Sequence, residues 1–257
     1  MRALGLVAHQ FRYDQKAFWR NPAAVFFTVG FPVILLLIFA TVFGDQTIDV
    51  RGGIDTTAYY VPAIITVAVI SATMQSLAMS LVIAREDARL KRGRGTPMPA
   101  WVFIAGRVGN SIVVALMMLA LIAALGRVLY GVAIPWGQLP ELVIVLAVGS
   151  AAFCCLGIAL TAAIPSQDAA APIVNALLLP LYFLSGVFIP EDELPDGVVN
   201  FANHFPVRDF FEAFFAAYMP AGGNSGVDWG NLAVVAIWGV AGLLLAIRFF
   251  RWTPRGG

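Results

Sequence analysis

Charged side chains are scarce in this sequence. Asp, Glu, Lys and Arg make up 12% of its 257 residues, whereas hydrophobic residues make up 60%. A typical soluble domain carries about 25% charged residues. The mean hydropathy is +0.84, so most of the folded surface is suited to lipid rather than to water. The composition therefore predicts an integral membrane protein, and we expect a single transmembrane domain over residues 1–257.

Residues that commonly carry out chemistry are also few. The two histidines, His9 and His204, are far apart in the chain, and the two cysteines, Cys154 and Cys155, are adjacent within an apolar run. This spacing favours neither a metal site nor a disulfide framework. We interpret the cysteines as small packing residues, and we predict no metal ion and no catalytic residue.

An ATP site built on a phosphate-binding loop is missing from the sequence. Such a loop needs Gly-Lys followed by Ser or Thr, but the two lysines, Lys16 and Lys91, follow Gln15 and Leu90. The middles of the apolar runs also lack the ionisable groups on which proton- or ion-coupled transporters depend. We therefore predict that the chain is not an enzyme, binds no cofactor and no nucleic acid, and draws its energy from outside the membrane.

Six apolar runs are long enough to cross a bilayer as helices, which takes roughly 20 residues each. They cover residues 22–44, 60–84, 104–126, 141–164, 172–189 and 229–247. Asn21-Pro22 is typical of a helix start, because Asn can cap free backbone donors and Pro suits the first helical position. We predict an all-α membrane protein with six transmembrane helices, named spans one to six.

The basic residues are distributed unevenly between the two sides of these spans. Three of the sixteen, Arg51, Arg127 and Arg208, fall on one side. The other thirteen share the side of both chain ends: Arg2, Arg12, Lys16, Arg20, Arg85, Arg89, Lys91, Arg92, Arg94, Arg107, Arg248, Arg251 and Arg255. Positive residues in short loops favour the cytoplasm, so both termini are predicted to be cytoplasmic.

The segment before span one, residues 1–21, has an amphipathic pattern. Leu4, Val7, Phe11 and Phe18 recur at helical spacing, and the basic residues lie on another face. This pattern predicts a helix in the cytoplasmic interface of the membrane. A positively charged flank without further function is the alternative.

The interval between spans five and six, residues 191–228, is long and acidic. It is too long for a simple turn, and we predict one or two short helices on the outer side. Their aromatic side chains are expected to face lipid. These are Phe210, Phe211, Phe214, Phe215 and Tyr218.

The densest charge cluster, residues 85–94, lies between spans two and three. One interpretation is a topology signal and nothing more. The other is a helix at about residues 85–97 that docks on an energy-supplying partner. Glu86 and Asp87 are mixed with the basic residues, and Leu90 provides an apolar side that could enter a groove. In that interpretation Glu86, Arg89 and Arg92 set the register of docking.

Polar, methionine and aromatic side chains within the spans are candidates for a substrate path. Ser71, Gln75 and Met79 follow one another four residues apart and so share one face of span two. The alternative for the two deepest amides, Gln75 and Asn175, is a hydrogen bond between helices, worth less than about 2 kcal/mol. The candidates are Phe31, Ser71, Met74, Gln75, Met79 and Asn175.

Three segments resemble the membrane subunits of type-two ATP-binding-cassette exporters, including daunorubicin-resistance-like permeases. The first, Arg20-Asn21-Pro22, opens span one. The second runs from Arg85-Glu86-Asp87-Ala88-Arg89-Leu90 to Arg94-Gly95-Thr96-Pro97-Met98-Pro99. The third, Leu184-Ser185-Gly186-Val187-Phe188-Ile189-Pro190, is followed by Leu194-Pro195 and Phe205-Pro206. The second segment departs from the family pattern at Ala88 and Gly93.

The resemblance implies half of a transporter in a prokaryotic plasma membrane. A second permease subunit, identical or related, would complete a central path lined by spans one, two and five. Separate ATPase subunits would bind ATP and Mg²⁺ and drive export of an amphipathic or hydrophobic compound. A polysaccharide or lipid-linked substrate and a non-transporting scaffold are the alternatives. The expected ATPase contacts are Arg12, Lys16, Glu86, Asp87, Arg89, Leu90 and Arg92.

Overall fold

The computed structural model describes residues 3–43, 47–48, 54–87, 100–189, 194–219 and 226–250. About 86% of these residues are helical. The helices are α1 (Ala3–Trp19), α2 (Pro22–Val25), α3 (Phe31–Phe43), α4 (Thr56–Ile70), α5 (Ser76–Glu86), α6 (Ala100–Tyr130), α7 (Leu139–Leu160), α8 (Gln167–Leu184), α9 (Asp196–Ala202), α10 (Pro206–Tyr218) and α11 (Trp229–Phe249). A two-residue antiparallel pair, β1 (Thr47–Ile48) with β2 (Ile54–Asp55), precedes α4. A 3-10 turn, Trp136–Gln138, precedes α7.

Six helical segments of the described chain are long and apolar enough to cross a membrane. They are span one (Phe26–Phe43), span two (Thr56–Glu86), span three (Trp101–Tyr130), span four (Trp136–Leu160), span five (Gln167–Leu184) and span six (Trp229–Phe249). The predicted all-α fold with six spans is therefore confirmed. Span two extends two residues beyond its predicted end. Span five stops at Leu184, five residues early, and Gly186 then takes a positive φ of 80°, which favours glycine and does not continue a helix.

Span two forms the centre of the bundle. About 72% of its apolar window is buried inside the fold, compared with at most 33% for spans one, three, five and six. Two of its buried threonine hydroxyl groups are satisfied within the helix. Thr66 donates to the carbonyl of Pro62 at 3.0 Å, and Thr73 donates to the carbonyl of Val69 at 2.6 Å. Span two can therefore be both polar and buried, because these hydroxyl groups bond to carbonyls of their own helix.

Spans four and six pack at the distance that glycine allows. A Cβ placed on Gly239 would lie 2.8 Å from Ala152, and one on Gly242 would lie 2.9 Å from the backbone nitrogen of Leu156. Apolar helices gain little from the hydrophobic effect when they associate in lipid, so close van der Waals packing between small residues contributes more. This packing fixes span six against span four.

The segment between spans five and six contains two short helices, α9 and α10, in agreement with the one or two that were predicted, but the predicted direction of its aromatic side chains is wrong. Phe210, Phe211 and Phe214 are fully buried, and Phe215 and Tyr218 nearly so. Helix α10 packs against spans two, four, five and six. A 13-residue helix is too short to cross the bilayer, and its large rings gain close contacts only where other helices surround them.

Helix α1 is formed as predicted, and it packs directly on the start of span three. A Cβ on Gly106 would lie 2.6 Å from the side chain of Gln10. Asp14 and Phe18 are buried on the packed face, while Arg12 and Lys16 are exposed on the other. The sequence pattern identified Phe18 on this face but did not identify Asp14.

Candidate functional site

One end of the bundle carries four of the seven residues expected to contact an ATPase, namely Arg12, Lys16, Glu86 and Asp87. We call it the α1 end, because α1 packs there on the start of span three. Span two also ends there, with Glu86 half-buried and Asp87 exposed. Three of the predicted contacts, Arg89, Leu90 and Arg92, lie outside the described residues.

Asp14 is the buried acidic residue of this end. Its carboxylate accepts a hydrogen bond from the Gln10 side chain at 3.0 Å. Burial raises the pKa of Asp14 above its usual value, and the nearby Arg107 guanidinium and the Gln10 bond act in the opposite direction. The pair of α1 and span three therefore holds a carboxylate close to a cation within the packed contact.

Arg85 is the residue of this end that the sequence interpretation did not single out for a role. Its side chain is almost fully buried. One terminal nitrogen donates to the carbonyl of Thr161 at 3.0 Å, and the other donates to the carbonyl of Ile164 at 2.8 Å. These carbonyls lie just past the last turn of span four, where a helix leaves backbone acceptors unpaired. Arg85 thus caps span four and joins it to the end of span two.

Glu86 is held by the same arginine. The Nε of Arg85 donates to the Glu86 carboxylate at 3.0 Å, and the side chain of Glu86 keeps only 25% of its exposure. The docking helix is predicted to begin at Arg85. In the structure, residues 85 and 86 belong to the last turn of span two, and the backbone partners of Arg85 lie just past the end of span four.

The turn between spans four and five is fixed by a helix cap where it leads into span five. The Ser166 side chain accepts a hydrogen bond from the backbone nitrogen of Ala169 at 3.3 Å, which caps the start of span five. Asp168 lies in the first turn of that helix, where a negative charge is favourable. The turn therefore links the end of span four to the start of span five with few free backbone groups.

A π-helical turn begins span one, and another lies midway along span two. They cover Phe26–Gly30 and Ser71–Gln75, and they contact each other. Such turns are rare and frequently occur at functional sites. The span-two turn contains three of the predicted path residues, Ser71, Met74 and Gln75. Phe31 follows the span-one turn directly.

The structure brings the two deepest amides together. The Gln75 side chain donates to the Asn175 side-chain oxygen at 3.0 Å, which joins spans two and five. Both residues are half-buried, and the bond leaves the Gln75 oxygen and the Asn175 amide nitrogen for other partners. Phe31 and Met79 are also half-buried, whereas Ser71 and Met74 are buried within the chain. The geometry matches the interhelical bond that was weighed as the alternative, and a path along Gln75 and Asn175 stays a prediction.

The bond between Gln75 and Asn175 predicts coupled stability effects. Replacing either residue by Ala should destabilise the protein, and the double replacement should cost less than the sum of the two. We expect a coupling energy of about 1 kcal/mol, the size found for hydrogen bonds between membrane helices. Thermal or denaturant unfolding in detergent measures it. Additive losses would show that the bond does not form, and Ser80→Ala, which removes a bond within one helix, serves as the control.

The opposite end of the bundle is closed by aromatic rings and two tyrosine hydroxyls. We call it the Tyr59 end. Tyr59 donates to the carbonyl of Gly186, and Tyr60 donates to that of Phe188 at 3.1 Å. The ring of Phe39 stacks on Tyr60 at 4.6 Å and on Phe188 at 5.6 Å. Spans one and two are therefore joined at this end to the residues that follow span five. These residues belong to the segment Leu184–Ile189, which carries the resemblance.

Comparison with known proteins agrees with this architecture. Residues 8–219 match the family described as ABC-2 type transporter. No individually curated protein matches the chain. The match covers more than half of the chain and includes spans one to five and both short helices, α9 and α10. Membrane domains of this family are permease components without an ATPase site of their own, and they generally work with an ATP-binding-cassette subunit. The chain therefore belongs to the ABC-2 type transporter family and is a multi-pass membrane permease subunit of an ATP-binding-cassette exporter.

Proposed function

We propose that this permease moves an amphipathic or hydrophobic compound outward when separate ATPase subunits bind and hydrolyse ATP with Mg²⁺. The observation that carries the proposal is the course of span two. This helical segment runs from the Tyr59 end, through the π-helical turn Ser71–Gln75, to Glu86 at the charged α1 end, and it carries the Gln75 amide bonded to span five on the way. A push on its charged end would therefore reach the candidate path.

The α1 end is assigned to the cytoplasm in this proposal. The described basic residues Arg12, Lys16, Arg85 and Arg248 lie in the elements that meet there. Phe103 and Ile104 at the start of span three and Phe250 just past span six pack against one cluster. The proposed setting is a prokaryotic plasma membrane, with a second permease subunit completing the path and membrane lipids covering the exposed apolar faces of the spans. Membership of the daunorubicin-resistance-like subgroup is part of the same proposal.

The substrate class is inferred from the candidate path. Its half-buried members, Phe31 and Met79, are apolar, and Gln75 and Asn175 supply uncharged hydrogen-bonding groups. Methionine adapts its shape to varied apolar partners, and a few polar groups in a mainly apolar site fix a ligand's orientation. This combination suits a compound with one large apolar part and a few polar atoms.

The proposal is tested by purifying the tagged permease from native membranes and identifying the proteins that accompany it. A soluble ATPase should co-purify, and its activity in proteoliposomes should rise when an amphipathic rhodamine dye is added. The same complex should move the dye only when ATP is present. Recovery of the permease without any ATPase would favour a scaffold. Stimulation by a lipid-linked saccharide but not by the dye would overturn the substrate class.

The orientation predicts the reactivity of single introduced cysteines. In a background with Cys154→Ala and Cys155→Ala, Gly137→Cys lies on the exposed 3-10 turn before α7, and Asp168→Cys lies in the exposed first turn of span five. An impermeant maleimide should label residue 137 on intact cells. It should label residue 168 only after the cells are permeabilised. The reverse pattern would invert the topology.

A further inference from the structure

We propose that Arg85 makes the turn between spans four and five move together with the end of span two. Motion delivered to the α1 end would then reach span five as well as span two. Arg85 would act as a positioning residue, through backbone atoms rather than through the substrate. The inference rests on the proposed function, because it assigns the route by which an ATPase moves the path.

The bonds of Arg85 are suited to carrying motion. Its guanidinium is planar, always charged and able to donate two bonds in a fixed geometry. Here both acceptors are main-chain carbonyls, at 3.0 Å on Thr161 and 2.8 Å on Ile164. A side-chain acceptor could rotate away, but a backbone carbonyl moves only with its chain. Displacing Arg85 therefore displaces the turn.

The turn itself transmits displacement to span five. Successive backbone bonds join Ala162 to Ala159 at 3.0 Å and Ala163 to Leu160 at 2.9 Å. The Thr161 hydroxyl donates to the carbonyl of Ile158 at 2.6 Å, and Ser166 caps the start of span five a few residues later. No long loose segment separates Ile164 from that cap, since Pro165 alone lies between them.

Span two also contacts spans four and five at a second level, farther from the α1 end. Gly157 of span four lies so close that a Cβ there would be 2.7 Å from the carbonyl oxygen of Met74. The Gln75–Asn175 bond joins span two to span five at the same level. Together with the Arg85 bonds at the α1 end, these contacts hold spans two, four and five to one another at two levels along the bundle. Contacts at two levels prevent one helix from tilting past the others.

The need for a buried cation argues for a role beyond capping. The last carbonyls of a helix at a membrane surface can bond to water at little cost. Burying a guanidinium requires desolvation of a charge, which well-placed bonds offset only in part. The Arg85 side chain is 3% exposed and is paired with Glu86. A strong, directed link between two helices is what this arrangement provides and water does not.

The test measures spin-label distances separately for the two parts that Arg85 joins, the end of span two and the turn between spans four and five. Labels are placed at Ile83 on span two and at Ala163 in the turn, each paired with a label at Val128 on the far end of span three. Ala163 and Val128 are exposed and Ile83 is half-buried. The complete complex with its co-purified ATPase is used, in lipid nanodiscs, with Cys154→Ala and Cys155→Ala. Labelled permease is diluted with unlabelled permease so that distances within one chain are measured.

In the wild type, ATP with Mg²⁺ and vanadate should change both the 83–128 and the 163–128 distances. In Arg85→Met, which keeps the unbranched stem, the first change should persist and the second should be lost. Arg85→Lys keeps the charge but offers no planar fork, and at least half of the 163–128 change should be lost. Thermal unfolding and ATPase retention should remain near wild type in Arg85→Lys.

The outcomes separate this inference from the proposed function. If neither distance responds to ATP in the wild type, the ATPase does not move span two, and the proposed function fails first. If both changes survive intact in Arg85→Met, the link is not used and the inference is overturned while the function stands. Should Arg85→Met fail to assemble, Arg85→Lys decides, because a full 163–128 change in that variant contradicts the inference.

Discussion

Gly149→Leu is expected to prevent the permease from folding into a stable bundle. A Cβ on this span-four glycine would lie 2.1 Å from the Phe210 ring. Phe210 is fully buried, and its ring lies 5.3 Å from the ring of Phe153 and 6.1 Å from that of Phe214, so it has no space into which to retreat. Overpacking a core costs about 1–3 kcal/mol and sometimes more. Leucine adds three further carbons to a site that cannot accept one, so the loss should lie at or above the upper end.

Size-exclusion chromatography of a fluorescent fusion measures the effect as the loss of a monodisperse peak, and thermal unfolding measures it for Gly149→Ala. The matched control is Gly137→Ala, because nothing lies within 4 Å of a Cβ at that position. Phe210→Ala should restore part of the stability of Gly149→Ala by removing the ring that clashes. Normal behaviour of Gly149→Leu would show that α10 does not pack on span four.

The six spans could be predicted from the sequence because a membrane leaves the backbone few choices. Without water to bond to, each crossing segment must be a helix that satisfies its own amides, and an uncharged run of about 20 residues indicates one. The same argument does not apply to α10. Its aromatic pattern, including Phe210 and Phe214, fits lipid and protein equally well, and only the tertiary packing decides between them.

The residue types of the candidate site could be predicted from the sequence, but their hydrogen-bond partners could not. Gln75 and Asn175 were recognisable as costly amides within spans, but they are 100 positions apart, and no local pattern pairs them. The partners of Arg85 are backbone carbonyls, which every residue possesses, so the sequence carries no sign of them. The π-helical turns are equally hidden, because Ser71–Gln75 has the composition of an ordinary helix.

Glu86→Lys is expected to detach or uncouple the ATPase while membrane insertion stays intact. The structure explains why folding should survive. Glu86 is partly exposed, so the introduced ammonium can turn toward water. Arg85 loses the acceptor of its Nε but keeps both backbone carbonyls. Placing a like charge across an interface costs several kcal/mol, and about 1.4 kcal/mol is already tenfold in affinity. ATPase co-purification and permease-stimulated hydrolysis should therefore fall by about tenfold or more.

Asp87→Lys is the matched control, because Asp87 is the next residue and is exposed. Exposed charges are screened by salt and contribute little individually, so its effect should be clearly smaller than that of Glu86→Lys and should shrink as ionic strength rises. Glu86→Gln keeps an oxygen acceptor for Arg85 without the charge and should fall between the two. Equal losses in the Asp87 and Glu86 reversals would mean that the ATPase responds to overall acidity at this end. A specific effect is expected of Glu86 because Arg85 holds its side chain in place. Unchanged coupling in both variants would therefore show that Glu86 is not part of the docking surface.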